Sequence, residues 1–251
     1  MFKRIIAVLM SLMLLALMMT PAYAAEQTLT IDATYNEDII NAHSYRPYSD
    51  SLRNYFIKTD GGYMRIYGMD NGTLLAEYYD ADLTYRGVRT VNCGLSLFGG
   101  FYHTEYFYFV MTGELNLAED PDKEVIRITK FDKSWNRLGT VSLCGANTTT
   151  PFRAGEADFA TYGDYMVIRT CHEMYATNGE HHQSNLSIKL NYASMTLNES
   201  FYGIADNASA GYTSHSLNQF VAIDSDGTIV TLDHGAGYPR GAMPGRYRNR
   251  I

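Results

Sequence analysis

The feature that most constrains this chain is a phrase that occurs twice. Residues 124–143, EVIRITKFDKSWNRLGTVSL, read as a β-branched strand, a turn over residues 132–136, and a second strand ending before Cys144-Gly145. About 52 residues earlier, residues 74–94, LLAEYYDADLTYRGVRTVNCG, follow the same order. Aligning Tyr79-Asp80 with Phe131-Asp132 sets Leu83 against Trp135 and, with a one-residue slip, Cys93-Gly94 against Cys144-Gly145. A chain that repeats two strands and their turn at this spacing is built from supersecondary units that must stack to bury their apolar faces.

The repeat extends in both directions. Residues 55–59, 63–68, 73–79 and 86–91 read as four strands, with Asp60-Gly61-Gly62, Asn71-Gly72 and residues 80–84 between them. Asn-Gly between apolar runs is a hairpin signal, because both residues tolerate positive φ. A second unit holds residues 97–102, 106–111, 125–131 and 137–143, and a third holds 157–162, 165–170, 186–191 and 200–204. A fourth begins with residues 217–223 and 228–232 around a turn at 224–227. Asn54-Tyr-Phe-Ile-Lys-Thr-Asp60 matches Asn218-Gln-Phe-Val-Ala-Ile-Asp224 at an offset of 164 residues, three units of about 55. All prolines after residue 24 fall outside the expected strands, as ladder hydrogen bonds require. No long segment carries a helical period.

Four short strands per 40–55 residues predict an all-β chain: a β-propeller-like array of four-stranded blades, about four of them, the last incomplete. The alternative is a β-sandwich. Residues 54–237 hold the blades, residues 25–53 an N-terminal strand (28–34) and linker, and residues 238–251, rich in Gly, Pro and Arg, a disordered tail. The strand at 28–34 supplies one outer strand toward closing the ring but leaves another missing, so the reading leans to a piece of a longer propeller.

Residues 1–24 read as a signal peptide. Lys3 and Arg4 precede an apolar run of about 15 residues, and Ala22-Tyr23-Ala24 offers the small residues of a cleavage site. The run is shorter than the roughly 20 residues of a spanning helix. The expected product is exported, secreted or at the cell surface, with no membrane span after cleavage. Taking Lys3 and Arg4 from the 20 basic residues leaves 18 against 27 acidic, a net charge of −9. That balance argues against nucleic acid, whose phosphates call for a basic face.

Blade topology sorts the loops. With strands a to d, the b–c loops and the links between blades share one rim. His172, His181 and His182, in the third b–c loop, fall there, as do His215 and His234, which flank the first hairpin of the fourth blade. Glu173, Glu180 and Asp233 lie beside them. Five of seven histidines thus share one face, and imidazoles with carboxylates are what ligand binding or general acid–base work uses. The candidate ligand-binding residues are His172, Glu173, His181, His182, His215, Asp233 and His234, with no catalytic residue assigned. The acidic loop 112–124 on the same rim offers Asp120, Asp122 and Glu124 as a candidate calcium set, without the glycine-turned spacing of a calcium loop. No other cofactor is expected. Cys144 and Cys171 fall near one another on this rim as a candidate disulfide, which leaves Cys93 unpaired.

The closing Tyr-Asp or Phe-Asp of strand c, and residues 214–235, SHSLNQFVAIDSDGTIVTLDHG, resemble blades of secreted bacterial propellers of the quinoprotein-like and arylsulfotransferase-like kind. The resemblance implies a propeller fold. The quinoprotein tryptophan-docking signature is absent, since Trp135 is the single tryptophan. The expected function is a module binding an extracellular glycan or surface protein. The 21 tyrosines supply rings for stacking on sugars and for anchoring interfaces. The alternatives are a secreted enzyme with a histidine-lined rim and a non-catalytic surface scaffold.

Overall fold

A computed structural model describes residues 53–153, 155, 157–176, 178–203, 213–235 and 241–248. The expected leader and the strand at 28–34 lie outside the described residues. Sixteen strands form four antiparallel sheets, and no helix occurs among the described residues. The first sheet holds β1 (Asn54–Thr59), β2 (Gly62–Gly68), β3 (Thr73–Tyr79) and β4 (Tyr85–Asn92), paired in chain order. The second repeats that order with β5 (Leu97–His103), β6 (Phe107–Gly113), β7 (Glu124–Asp132) and β8 (Arg137–Cys144). The third comprises β10 (Asp158–Tyr162), β11 (Tyr165–Tyr175), β12 (His181–Asn191) and β13 (Thr196–Phe201), with β9 (Thr148–Pro151) pairing the far end of β11. The fourth has β14 (Ser216–Ile223), β15 (Ile229–Gly235) and β16 (Gly241–Tyr247). Four separate sheets are not the two stacked layers of a sandwich.

The repeated turn has a physical basis. Leu83 N–H donates to Asp80 O and Trp135 N–H to Asp132 O, both at 3.0 Å, while Asp80 and Asp132 bond back to Thr84 and Asn136. The aspartate carboxylates accept from the backbone of Thr84 and Asn136. Closing the turn drives Leu83 and Trp135 to φ of 67° and 61°, and the Asp224–Thr228 turn places Gly227 at 79°. The positions that align in sequence therefore share one backbone strain.

Neighbouring sheets are joined by apolar clusters. Met64, Ile66, Leu74 and Ala76 of the first sheet meet Phe98, Phe101, Val110, Phe131 and Trp135 of the second. Trp135 stacks tilted on Tyr108 at 4.6 Å and donates its Nε1–H to Tyr78 Oη. Phe109, Ile126, Ile128 and Leu143 meet Phe159, Met166, Ile168, Leu186 and Ile188 of the third sheet. Phe152 enters this core where Gly99 and Gly113 lack side chains; a Cβ on either would strike its ring at 2.3 and 2.7 Å. Val167, Val221 and Ile229 link the third sheet to the fourth.

Three expectations need correction. The third b–c loop is mostly strand: β11 and β12 run five residues further than expected and pair as far as Tyr175↔His181. The tail expected to be disordered contributes β16, which pairs with β15 from Ile229↔Tyr247 to Gly235↔Gly241. Pro151 and Pro244 lie within strands; among the described residues β16 pairs on one side only, a position in a sheet where proline is tolerated.

Candidate functional site

Strand extension decides which candidate side chains reach solvent. Along β11, Cys171 and His172 are fully buried and Glu173 is partly exposed. His172 Nδ1 lies 2.7 Å from Thr148 Oγ1 and Nε2 3.0 Å from Ser184 Oγ, so both ring nitrogens have hydroxyl partners. Burial drives the His172 pKa down to about 3. His172 is therefore a neutral, satisfied core residue and presents nothing to a ligand.

Asp233 is buried as well. Its carboxylate accepts from Arg169 Nε at 2.7 Å and from Nη2, and Arg169 Nη1 donates to Ser187 Oγ at 2.7 Å. Arg169 lies on β11 and Asp233 on β15, so the pair bridges two sheets. Separating it would leave a charge stranded, at a cost of about 3–5 kcal/mol.

The remaining candidates, His234 excepted, gather at the tip of the β11–β12 hairpin. His181 has ring nitrogens 2.9 Å from Glu119 Oε1 and 3.7 Å from Glu173 Oε1. Arg153 Nε lies 3.1 Å from Glu173 Oε2, and Thr149 Oγ1 donates to Glu173 Oε1 at 3.1 Å. Tyr175 Oη donates to Glu119 O at 3.4 Å; burial, then Glu119, raises its pKa. His182 lies 3.3 Å from Glu180, whose pKa is lowered by hydrogen bonds from Asn178 and then His182. The ring of His182 meets that of His215 edge-on at 6.2 Å. His215 is held there because its N–H donates to Gln183 O, beside the Ser184↔Ser214 bridge. Loop sorting thus brings together the second sheet's b–c loop, the third sheet's hairpin and the entry to the fourth sheet. His234 is exposed on β15, and among the described residues no hydrogen bond, ion pair or ring contact joins it to this group.

Glu119, Arg153, Thr149 and Tyr175 were not singled out from sequence. Glu119 was legible as one of five carboxylates in its loop; Arg153 carried no signal, because only the fold carries it to Glu173. The arrangement offers carboxylate acceptors, imidazole and guanidinium donors, and an aromatic ring on an exposed surface.

Within the candidate calcium set, two carboxylates have protein partners. Asp120 Oδ1 accepts from Asp122 N–H at 2.9 Å, and Glu124 is clamped by Arg127 Nε at 2.8 Å, which holds its carboxyl below the usual range. Among the described residues, no three His, Cys, Asp or Glu side chains are placed to hold a metal ion. The candidate Cys144–Cys171 disulfide is absent. All three thiols are free: Cys171 points into the core near Gly155 and Gln219, while Cys144 ends β8 exposed.

Neither a family model nor a curated protein matches the chain. Among solved structures, it is similar to a polysaccharide lyase of family PL25, an ulvan lyase bound to -[GlcA(1-4)Rha3S]-, at 10% identity, covering 83% of this chain and 58% of that chain with a TM-score of 0.52. A Synechocystis apocarotenoid oxygenase matches at 12% identity over 79% of this chain and 59% of that chain, with a TM-score of 0.41. The chain thus spans under three-fifths of the length of these structures, and the likeness concerns fold alone. Among the described residues, no helix is long and apolar enough to cross a membrane.

Proposed function

We propose that the four sheets are successive blades of an exported propeller-type module that binds an extracellular glycan through the surface around His181. The observation that carries this reading is the convergence of Glu119, Arg153, Glu173, Tyr175 and His181, from three separated stretches, on one exposed patch. Paired acceptors and donors beside an aromatic ring suit vicinal hydroxyls, whose recognition needs both in fixed positions. The chain-order succession of four antiparallel sheets supports the blade assignment, and the leader-like residues 1–24 support export.

The ligand class follows from charge. Glu119, Glu173 and Glu180 outnumber Arg153, so the patch repels uronates and sulfate esters. A neutral or amino-sugar glycan is expected, unlike the anionic repeat in the ulvan lyase structure. The test is an array of neutral, amino and anionic polysaccharides at neutral pH, with a protein pull-down alongside. Binding confined to neutral or amino glycans, weakened about tenfold (~1.4 kcal/mol) in Glu173→Gln and His181→Ala, supports the proposal. A blank array with a positive pull-down would replace the glycan by a surface protein.

A further inference from the structure

The inner sheets of this array bury apolar side chains on both faces. The second sheet packs Phe101 and Val110 against the first, and Phe109 and Ile128 against the third. The end sheets differ. The first turns Met64, Ile66 and Leu74 toward the second, and the fourth turns Val221 and Ile229 toward the third. Strand alternation sends the residues between these to the opposite face.

On the first sheet that opposite face carries a row of rings. Tyr63, Tyr79 and Tyr85 are register partners on β2, β3 and β4. Phe56 of β1 stacks on Tyr63 at 5.2 Å, and Tyr79 meets Tyr85 edge-on at 5.8 Å. On the fourth sheet, Phe220, Leu232 and Pro244 are register partners on β14, β15 and β16, beside Ala222 and Val230. Phe56 is 57% and Phe220 47% exposed, so neither end face covers the other within one chain. Arg65 Nη1 donates to both Glu77 carboxylate oxygens at 2.9 and 3.1 Å, and Arg246 Nη2 lies 3.2 Å from Asp224. Covering these faces therefore strands neither pair. Lys58, near the end of β1, has a stem long enough to keep its ammonium in water.

We propose that two copies of the chain close into one ring of eight sheets, the first sheet of each packed on the fourth sheet of the other. The joint repeats the sheet-on-sheet apolar packing that the chain already makes three times, with aromatic rings against Leu, Val and Pro. Area decides between one joint and two. Limited by the three described strands of the fourth sheet, one joint covers roughly 23 by 14 Å and buries on the order of 650 Å² over both partners. That is the size of a weak contact, whereas two joints bury about 1,300 Å², within the range of specific interfaces. A two-fold ring makes both at once and leaves no free end face for filaments. Eight sheets also lie within the range of propeller rings.

The experiment is sedimentation velocity of the full chain over about 1–100 µM. A species of twice the chain mass is expected, with a dissociation constant of about 10 µM or tighter. Phe56→Glu and Phe220→Glu lie at exposed positions, so each should keep the melting temperature of the monomer. Each places a carboxylate in both joints and should weaken association about a hundredfold or more. Tyr85→Lys and Leu232→Lys form a second pair with the same expected result. An equimolar mixture of Phe56→Glu and Phe220→Glu retains one unaltered joint and should associate more tightly than either variant alone. A monomeric wild-type chain, a dimer that survives a substitution in either sheet, or mass that grows beyond two copies with concentration overturns the proposal.

Discussion

At the scale of single residues, His172 and His181 show how nine positions along one hairpin separate a core group from a surface one. His172 titrates at about 3 in the folded chain because burial disfavours the imidazolium, against about 6.5 when unfolded. Between these values the unfolded state binds more protons, so stability falls as pH drops below about 6.5 and continues to fall toward pH 3. The expected loss between pH 7 and pH 4 is a few kcal/mol, read from urea midpoints. His172→Gln, which retains hydrogen-bonding capacity without the titration, should flatten that dependence; an unchanged slope would contradict the assignment.

At the scale of the element, the turn closing strand c makes a sharper test. Leu83 and Trp135 adopt the same left-handed backbone, yet Leu83 is 57% exposed and Trp135 is buried among Phe101, Tyr108 and Phe131. Leu83→Gly relieves strain and loses little packing, so a gain of about 0.5–1 kcal/mol is expected. Trp135→Gly relieves the same strain but removes a core ring, so a net loss of about 3 kcal/mol or more is expected in chemical denaturation. The turn was legible in sequence because Asp at its first position and an Asn or Thr at its last make local hydrogen bonds. The extension of β11 and β12 was not. CHEMYATNGEHHQ is polar enough to read as a loop, and only the β11–β12 pairing out to Tyr175↔His181, with β9 alongside, reveals its two ends as strand.

At the scale of the whole molecule, stability rests on sheet-to-sheet burial, since none of the three cysteines is cross-linked. Burial pushes the Cys93 thiol up to about 12 and the Cys171 thiol upward too, which keeps both unreactive. A thiol reagent should therefore modify Cys144 alone in the native chain and all three when unfolded, and dithiothreitol should leave the melting temperature unchanged. Two or more native modifications would show that the core is open at Cys93 or Cys171. The same stacking explains why the candidate site spans three elements. Loops separated by tens of residues meet because consecutive sheets pack face to face and bring their b–c ends to one side.

The strand order of the first two sheets, the Asp-based turn and the division into four units were already written in the sequence, since alternation, local turn hydrogen bonds and repeat spacing act over a few residues. Only the tertiary structure decided that His172 and Asp233 face inward while His181 meets Glu119 and Glu173. It also decided that residues 241–247 pair with β15 as β16. Burial and pairing depend on which sheet lies opposite, and that is a property of the packed chain that no local stretch encodes.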